Sequence, residues 1–353
     1  MVFTRRKVDE ALNEFSQNVK PVSLYKDAWK RLVKNKMALV GLAIVLIYFI
    51  ISLLAPILPF YPYERQEIRH IYLPPSFEKA GVVMIRTREA YLAKVMAREG
   101  RGEYTAAEQA ELTAMRAEVE TDPVHQRVYV FGTDVLGRDL FSRTIHGGRI
   151  SLGIGIVGTI TALLIGVFYG AISGYIGGKI DNLMMRIVDI IYGLPYMMVV
   201  IVLMALFGGR SVYLLFIAIA MVSWLTISRV VRGQIISLKN SEFIEAARSV
   251  GAGTPRIIVR HLLPNTLGII IVYSSLSFPS FIMSESFLSF LGLGVSAPMS
   301  SWGSLIDEGV RGMELYPWLL IVPAAMMTLF LFAMNFLGDG LRDSFDPQSK
   351  NRT

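Results

Sequence analysis

The sequence predicts an all-α integral membrane protein with six transmembrane helices. Of the 353 residues, 53% are apolar, and long runs without any charge recur along the chain. A helix needs about 20 residues to cross about 30 Å of hydrocarbon, more than a buried helix of a soluble protein usually needs. The uncharged runs are Met37–Tyr63, Ile150–Gly178, Ile190–Gly209, Ser211–Ser228, Leu262–Ser284 and Leu315–Gly338.

The basic residues predict the orientation, because short cytoplasmic loops are rich in Lys and Arg. Such residues crowd the segment 1–36, before a first membrane helix at 37–60, and the loop 229–264 between the fourth and fifth runs. Six crossings then return the tail 339–353 to the cytoplasm, so we expect both termini there. Membrane orientation thus accounts for the net charge of +7, and no nucleic-acid partner is expected. The absence of cysteine excludes disulfides and thiolate metal sites.

Residues 61–149 are predicted to form an extracytoplasmic loop that contains a polar insertion at 64–128. The stretch "TAAEQAELTAMRAEVE" opens with a capping box from Thr105 to Glu108, and Arg86–Arg98 reads as a second helix. The hairpin either shields the outer surface or docks an external partner. Three arginines follow the hairpin although the charge rule places basic residues in cytoplasmic loops, namely Arg138, Arg143 and Arg149. The rule holds for short loops, and long loops cross the membrane with little regard for charge.

Small residues recur at every fourth position of the second run: Gly158, Ala162, Gly166, Gly170 and Gly174. Small residues at this spacing let two helix backbones approach closely in lipid. We therefore expect this face to pack against another helix. The same region spells G-x-G-x-x-G, but a dinucleotide site needs a preceding strand, so no nucleotide site is expected here.

Two ionisable residues at the ends of the runs and a proline within one of them are candidates for the translocation path or its gating. Asp189 lies three residues after Arg186, so it either pairs with that arginine or serves the path. Pro195 is expected to kink the third helix. Glu285 either faces a polar cavity and meets a cationic substrate group, or it accepts hydrogen bonds from the neighbouring hydroxyls of Ser284, Ser286 or Ser289.

Catalytic motifs are absent from the sequence. There is no G-x-x-x-x-G-K-[ST] phosphate loop, no H-E-x-x-H zinc motif and no G-x-S-x-G nucleophile elbow. The four histidines are isolated in the sequence, so we predict neither a catalytic residue nor a metal site. A transport protein fits these absences better than an intramembrane enzyme.

The loop "NSEFIEAARSVGAGTPRIIVRHLLPN" is predicted to hold two short capped helices. Asn240 or Ser241 can cap the first, and Gly251 suits the turn after it. Thr254 can cap the second, which Pro264 is expected to end. Phe243, Ala246, Ala247 and Val250 form an apolar stripe, and Glu245 lies on another face. Such a pair either fills a groove in a soluble partner or lies on the lipid surface.

The motif "EAARSVG" followed by "LLP" resembles the EAA loop of ABC importer permeases. Residues 131–152, "FGTDVLGRDLFSRTIHGGRISL", with "ESFLSFLGLG" and "GDGLRDSFDP", resemble the C-type permease subunit of oligopeptide, dipeptide and nickel importers. The resemblance is loose over 1–63, close over 129–348 and absent over the insertion. His261 replaces the isoleucine of the general motif.

This resemblance implies a type I importer permease fold with its core at 150–338. The implied partners are a second related permease, two cytoplasmic ATPases that hold ATP and magnesium, and an extracytoplasmic substrate-binding protein. It also implies that Ser241–Val250 is the coupling helix, that Glu245 makes a polar contact in an ATPase groove, and that Gly251 sets the bend. Peptides are the leading substrate; nickel or oligosaccharides, or a carrier driven by an ion gradient, are the alternatives.

Overall fold

The computed structural model describes residues 24–207 and 212–345. Within those ranges the chain is helical, with two isolated β-bridges. The twelve helices are α1 (Leu24–Lys34), α2 (Lys36–Leu54), α3 (Ala80–Glu99), α4 (Ala106–Thr121), α5 (Leu140–Ile176), α6 (Gly178–Gly193), α7 (Tyr196–Leu206), α8 (Val212–Leu238), α9 (Glu242–Ser249), α10 (Thr254–Leu293), α11 (Trp302–Gly312) and α12 (Trp318–Phe345).

Five of these helices are long and apolar enough to cross a membrane, namely α2, α5, α8, α10 and α12. The pair α6 and α7 meets at 83° and gives the sixth span when counted as one. The all-α membrane class and the six spans are therefore confirmed, with the third span broken. The first span ends at Leu54, before the predicted position 60, and Pro56, Pro59 and Pro62 follow it.

Two apolar cores hold the spans together. One lies among α5, α7, α8 and α10, and also takes in α9. The other gathers α2, α5, α10, α11 and α12 around aromatic rings. Tyr48 meets the ring of Trp302 edge-on at 5.7 Å and that of Phe330 at 5.4 Å, and its hydroxyl donates to the Met326 carbonyl at 2.9 Å. These buried aromatic contacts fix α2 and α12 on one side of the molecule.

The face of α5 with small residues packs directly on two other spans. Atoms of the Phe281 side chain on α10 lie 2.7 Å from where a Cβ on Gly158 would stand. The corresponding distances from Gly166, Gly170 and Gly174 to carbonyl oxygens of α8 are 2.7, 2.2 and 2.8 Å. Any side chain there would enter backbone of the neighbouring helix, so the close approach of α5 and α8 depends on glycine. Ala162, the remaining member of the face, is buried and starts a π-turn in α5.

A layer of polar segments beside the spans, termed the outer layer for its predicted position, contains the predicted hairpin, formed by α3 and α4. The capping box at Thr105 is present, and Arg101, which donates to Glu108, lowers the pKa of that carboxyl to about 2. The hairpin is not a separate insert, however. Backbone bonds join 64–79 to 129–139, including Glu67 to Leu136 and Tyr72 to Asp134. The predicted boundary at 128 therefore cuts through one packed layer.

Candidate functional site

The helix α9 is a short arm between two spans. It starts four residues after α8 ends and finishes five residues before α10 begins. Ile244, which is fully buried, is its anchor and belongs to the same core as Ile257 and Leu262 of α10. Ser241 stands at the N-cap, where its carbonyl accepts from the amide of Ile244 at 2.9 Å. Its hydroxyl donates to the Leu238 carbonyl at 2.6 Å and so ties α9 to the end of α8.

The opposite face of α9 is apolar and uncovered in the chain. Val250 is 88% exposed and Phe243 is 41% exposed. Ala246 lies between them and is also exposed, while Ala247 is half-buried. Glu245 is exposed beside this stripe. Because α9 buries only Ile244, the predicted stripe is available to a partner and does not serve the chain's own core.

The turn after α9 requires glycine for its backbone conformation. Gly251 has φ +84°, a left-handed value that other residues adopt only at a cost of about 1 kcal/mol. Its amide donates to Arg248 at 2.9 Å, and the next amide, of Ala252, donates to Ala247 at 3.0 Å. No atom lies within 4 Å of a Cβ built on Gly251. A substitution there would thus strain the bend without a steric clash.

The prediction for the second short helix of the loop was wrong in two respects. Gly253, not Thr254, precedes the helix, and Thr254 is its first residue. The helix also does not end at Pro264 but continues through it as α10. A proline ring normally clashes with the carbonyl four residues earlier, here Arg260. That residue lies in a π-turn, Ile258–Leu262, whose wider path accommodates the ring.

Charged pairs bind α6 to α8 just before the arm. Arg232 donates two hydrogen bonds to Asp181, at 2.6 and 2.7 Å, and the hydroxyl of Ser173 donates to the same carboxylate. Lys239 donates to the carbonyl of Gly174 at 3.1 Å. Bidentate Arg–carboxylate pairs are geometrically specific. Motion of the end of α8 is therefore passed on to α5 and α6.

Asp189 also binds α8, and its predicted partner was wrong. Its carboxylate accepts from Arg229 at 2.7 Å, whereas no ion pair with Arg186 occurs between these described residues. The guanidinium of Arg229 also stacks 4.1 Å from the centre of the Tyr192 ring. A cavity of about 740 Å³ opens beside this pair, lined by Asn182, Leu183, Met185, Arg186, Asp189, Arg229 and Arg232. Asp189 thus lines a polar recess of this chain.

Sequence reasoning missed Asp181 and Arg232, although a signal was present. Asp181 and Asp189 are eight residues apart, and Arg229 and Arg232 are three apart. Each pair returns to about the same face of its helix. Two acids on one helix and two bases on another, next to apolar runs, indicate ion pairs between the two helices.

Pro195 breaks the third span and does not merely kink it. The residue before a proline is forced into an extended conformation, and Leu194 accordingly has φ −80° and ψ 138°. Helix α6 therefore ends at Gly193, and α7 begins at Tyr196 in a new direction. Irregular backbone at membrane depth is tolerated where it lines a cavity or is covered by protein.

Glu285 is completely buried and accepts hydrogen bonds from three hydroxyls. Ser289 and Ser301 donate to one carboxylate oxygen at 2.7 and 2.6 Å, and Ser151 donates to the other at 3.1 Å. Ser301 caps the N-terminus of α11, whose dipole favours a negative charge there. Of the hydroxyls expected from sequence only Ser289 takes part, since Ser284 donates to Ser280 instead. Glu285 thus joins α5, α10 and α11.

Two of the three arginines that follow the hairpin, Arg138 and Arg143, pair with one acid nearby in sequence and one distant acid. Arg143, which is 1% exposed, donates to Asp134 at 2.6 Å and to Glu308 at 2.6 and 3.0 Å. Arg138 donates to Asp134 at 2.7 Å. Each of these two buried guanidinium groups is therefore paired with at least one carboxylate.

Two family models match this chain. One, described as a binding-protein-dependent transport system inner membrane component, matches residues 145–351. The other, described as the N-terminal TM domain of oligopeptide transport permease C, matches residues 23–75.

Curated relatives match over most of the chain. The oligopeptide transport system permease protein OppC of Escherichia coli K12 is 40% identical over 347 residues, which cover 98% of this chain and 99% of that protein. The dipeptide transport system permease protein DppC of Bacillus subtilis is 38% identical over 344 residues, covering 97% and 92%. OppC of Haemophilus influenzae is 53% identical over 228 residues, covering 65% and 73%.

Among solved structures, a chain from the inward-facing conformations of the MetNI methionine ABC transporter aligns with a TM-score of 0.48 at 15% identity. The alignment covers 57% of this chain and 95% of that chain.

Proposed function

The chain belongs to the family of binding-protein-dependent transport system inner membrane components, and on that premise we propose that it is a permease subunit of a peptide importer. It forms part of the path through which peptides, delivered by an extracytoplasmic binding protein, cross the inner membrane. The full-length relatives are named oligopeptide and dipeptide permeases, which supports peptides as the substrate class. The chain itself catalyses no reaction.

The observation that carries this proposal is the uncovered apolar face of α9. The eight-residue helix exposes Phe243 and Ala246, its C-cap residue Val250 is also exposed, and Ile244 anchors the helix in the core between two spans. A short amphipathic helix of this kind fits a hydrophobic groove in a partner protein. The partner we propose is a cytoplasmic ATPase subunit, one of two, because the sequence carries no phosphate loop of its own. Glu245 makes a polar contact at the edge of that groove.

The contacts of α9 describe how a partner's movement would enter the membrane. On one side Ser241 binds the end of α8, which Arg232 joins to Asp181 of α6. On the other side α10 continues from Thr254 through Pro264 and Pro279 as far as a kink at Gly292. A push on α9 is therefore delivered to α8 and α10 together as a rigid-body shift. A second, related permease would supply the other wall of the path, with Asp189 and the break at Pro195 on this chain's side.

The test is ATP-driven uptake by the purified complex in proteoliposomes, measured together with ATP hydrolysis. Val250→Asp places a charge on the exposed stripe, and Gly251→Val strains the bend. We expect both variants to reach the membrane in normal amounts and to lose most uptake, through loss of the ATPase subunits or hydrolysis without transport. Glu245→Lys, which reverses the charge at the edge of the stripe, should behave in the same way.

A matched control is Val82→Asp on α3, which introduces the same charge at a valine that is 47% exposed in the outer layer. This control should transport normally. Full uptake by Val250→Asp and Gly251→Val would refute the coupling role. Uptake without any ATPase subunit would instead favour a carrier driven by an ion gradient.

The orientation can be tested with single cysteines, since the chain contains none. With both termini in the cytoplasm, a membrane-impermeant thiol reagent applied outside should label Val82→Cys and spare Val250→Cys. The reverse pattern would place α9 outside and reject the proposal.

A further inference from the structure

The helix α1, "LYKDAWKRLVK", presents three different surfaces around its axis. Residues four apart are rotated by about 40°, so each set forms a stripe along one side. The first stripe is Ala28 and Leu32, the second is Tyr25, Trp29 and Val33, and the third is Lys26, Lys30 and Lys34. The apolar second stripe lies between the other two. Neither the family membership nor the proposed coupling through α9 accounts for this order.

The first stripe is covered by the protein. Ala28 is 5% exposed and Leu32 is 4% exposed. A methyl carbon of Leu32 lies 3.3 Å from where a Cβ on Gly340 of α12 would stand. The ring of Tyr25 meets that of Phe345 edge-on at 6.4 Å. Helix α1 is therefore held against the end of α12 and is not a loose tail.

The second and third stripes are uncovered. Trp29 is 58% exposed, Tyr25 48% and Val33 43%. The three lysines are exposed, and within 24–207 and 212–345 no acid lies within 4.0 Å of their amines. Asp27, the acid of this helix, pairs instead with Arg31 at 2.8 Å. The helix thus combines an exposed aromatic stripe with an adjacent row of lysines that pair with no acid in the described part of the chain.

The position of α1 indicates what covers these stripes. Asn35 is the single residue between α1 and the membrane span α2, and its side chain caps α2 by accepting from the amide of Ala38 at 3.2 Å. The first turns of α2 expose Met37 and Val40 at 53% and 51%, as expected of a surface in lipid. Helix α1 must therefore lie at the level where the hydrocarbon meets the headgroups.

We propose that α1 is a binding surface for anionic phospholipid. The aromatic stripe enters the outer part of the acyl-chain layer, and Lys26, Lys30 and Lys34 contact the phosphates of the neighbouring headgroups. Tryptophan and tyrosine favour this interface, and lysines reach from it to the charged layer. A lipid offers acyl chain and phosphate side by side, in the order in which the helix displays its apolar and cationic stripes. The contact fixes the ends of α2 and α12 at the membrane surface.

The apolar half of the proposal is tested by spin labels on adjacent residues, one in each open stripe. Because the chain has no cysteine, Val33→Cys and Lys34→Cys each carry a single label in the full-length chain in lipid nanodiscs. We expect the label at Val33 to collide mainly with oxygen, which dissolves in acyl chains, and the label at Lys34 mainly with a water-soluble nickel chelate. If the label at Val33 collides with neither oxygen nor the nickel chelate, protein covers this stripe. If it collides mainly with the nickel chelate, the stripe faces water. Either result would overturn the proposal.

The charged half is tested by lipid retention. The full chain is equilibrated in micelles with equal phosphatidylglycerol and phosphatidylcholine, and the bound lipids are counted by mass spectrometry. We expect severalfold enrichment of phosphatidylglycerol, which the triple variant Lys26→Gln, Lys30→Gln, Lys34→Gln loses. A matched triple in the outer layer, Lys79→Gln, Lys94→Gln, Arg98→Gln, should retain it. Equal enrichment in the two triple variants, or none in the native chain, would contradict the proposal.

Discussion

Replacing Gly170 by alanine should push α5 and α8 apart. A Cβ at this position would stand 2.2 Å from the carbonyl oxygen of Ser228 and 3.1 Å from the amide nitrogen of Arg232. Ordinary contact begins at 3.4 Å, so relief of the first contact requires a shift of about 1.2 Å between two helix backbones. Neither neighbour is a flexible side chain that could turn away.

The change in the free energy of unfolding caused by Gly170→Ala has two opposing contributions. Overpacking of this kind typically costs about 1–3 kcal/mol, while alanine gains about 0.5–1 kcal/mol over glycine inside a helix. We expect Gly170→Ala to lower the free energy of unfolding by about 1–2 kcal/mol. The displaced α8 would also carry Arg232 away from Asp181, so uptake should fall along with stability.

Gly233→Ala is the matched control, because it makes the same change in α8 where no atom lies within 4 Å of the new Cβ. That variant should be neutral or more stable, since only the helix-propensity gain remains. The assay is the thermal unfolding midpoint of each purified variant in one detergent. Equal midpoints for Gly170→Ala and Gly233→Ala would refute close backbone packing between these spans.

Three further outcomes follow from the buried polar groups. Burial lowers the pKa of His70, whose ring bonds His125 at 2.8 Å, from 6.5 to about 4. The folded state therefore favours the neutral ring, whereas the unfolded chain protonates it below about pH 6.5. The outer layer should have its full free energy of unfolding above about pH 6.5 and lose about 3 kcal/mol of it as the pH falls to 4. Proteolysis of the α3–α4 hairpin that does not change over this range would contradict this. Glu285→Leu should destabilise the chain by about 1–3 kcal/mol more than Glu285→Gln, because three buried hydroxyls lose their acceptor; equal unfolding midpoints would count against it. Asp181→Asn should reduce uptake, and the exchange Asp181→Arg with Arg232→Asp should restore part of it; no rescue would mean that the pair does not act as an ion pair.

The features predictable from sequence were those carried by local pattern. The six spans follow from uncharged runs, the hairpin follows from the capping box at Thr105, and the left-handed turn at Gly251 follows from glycine after a helical stripe. Each depends on residues within a few turns of each other. The family found by the comparisons also agrees with the family that the loop motif resembles.

The features that sequence did not predict depend on contacts between distant segments. The bond from Ser301 to Glu285 spans 16 residues, and that from Arg143 to Glu308 spans 165. The course of the chain at Pro264 depends on the π-turn before it, which has no sequence signature as clear as the proline itself. Proline at position 264 favours the end of a helix, but the wider π-turn before it lets the helix continue.

The continuation of α10 through Pro264 makes it a long lever for a movement of α9. The part from Thr254 to the kink at Gly292 is a rod of about 55 Å at about 1.5 Å per residue, and it starts beside the bend at Gly251. A tilt of about 5° at that root sweeps the far tip through about 5 Å, roughly the width of one peptide backbone. Had Pro264 ended the helix, the same tilt would have been absorbed next to α9. In the proposed importer, the end of α10 that is far from α9 would therefore respond to a partner that never enters the membrane.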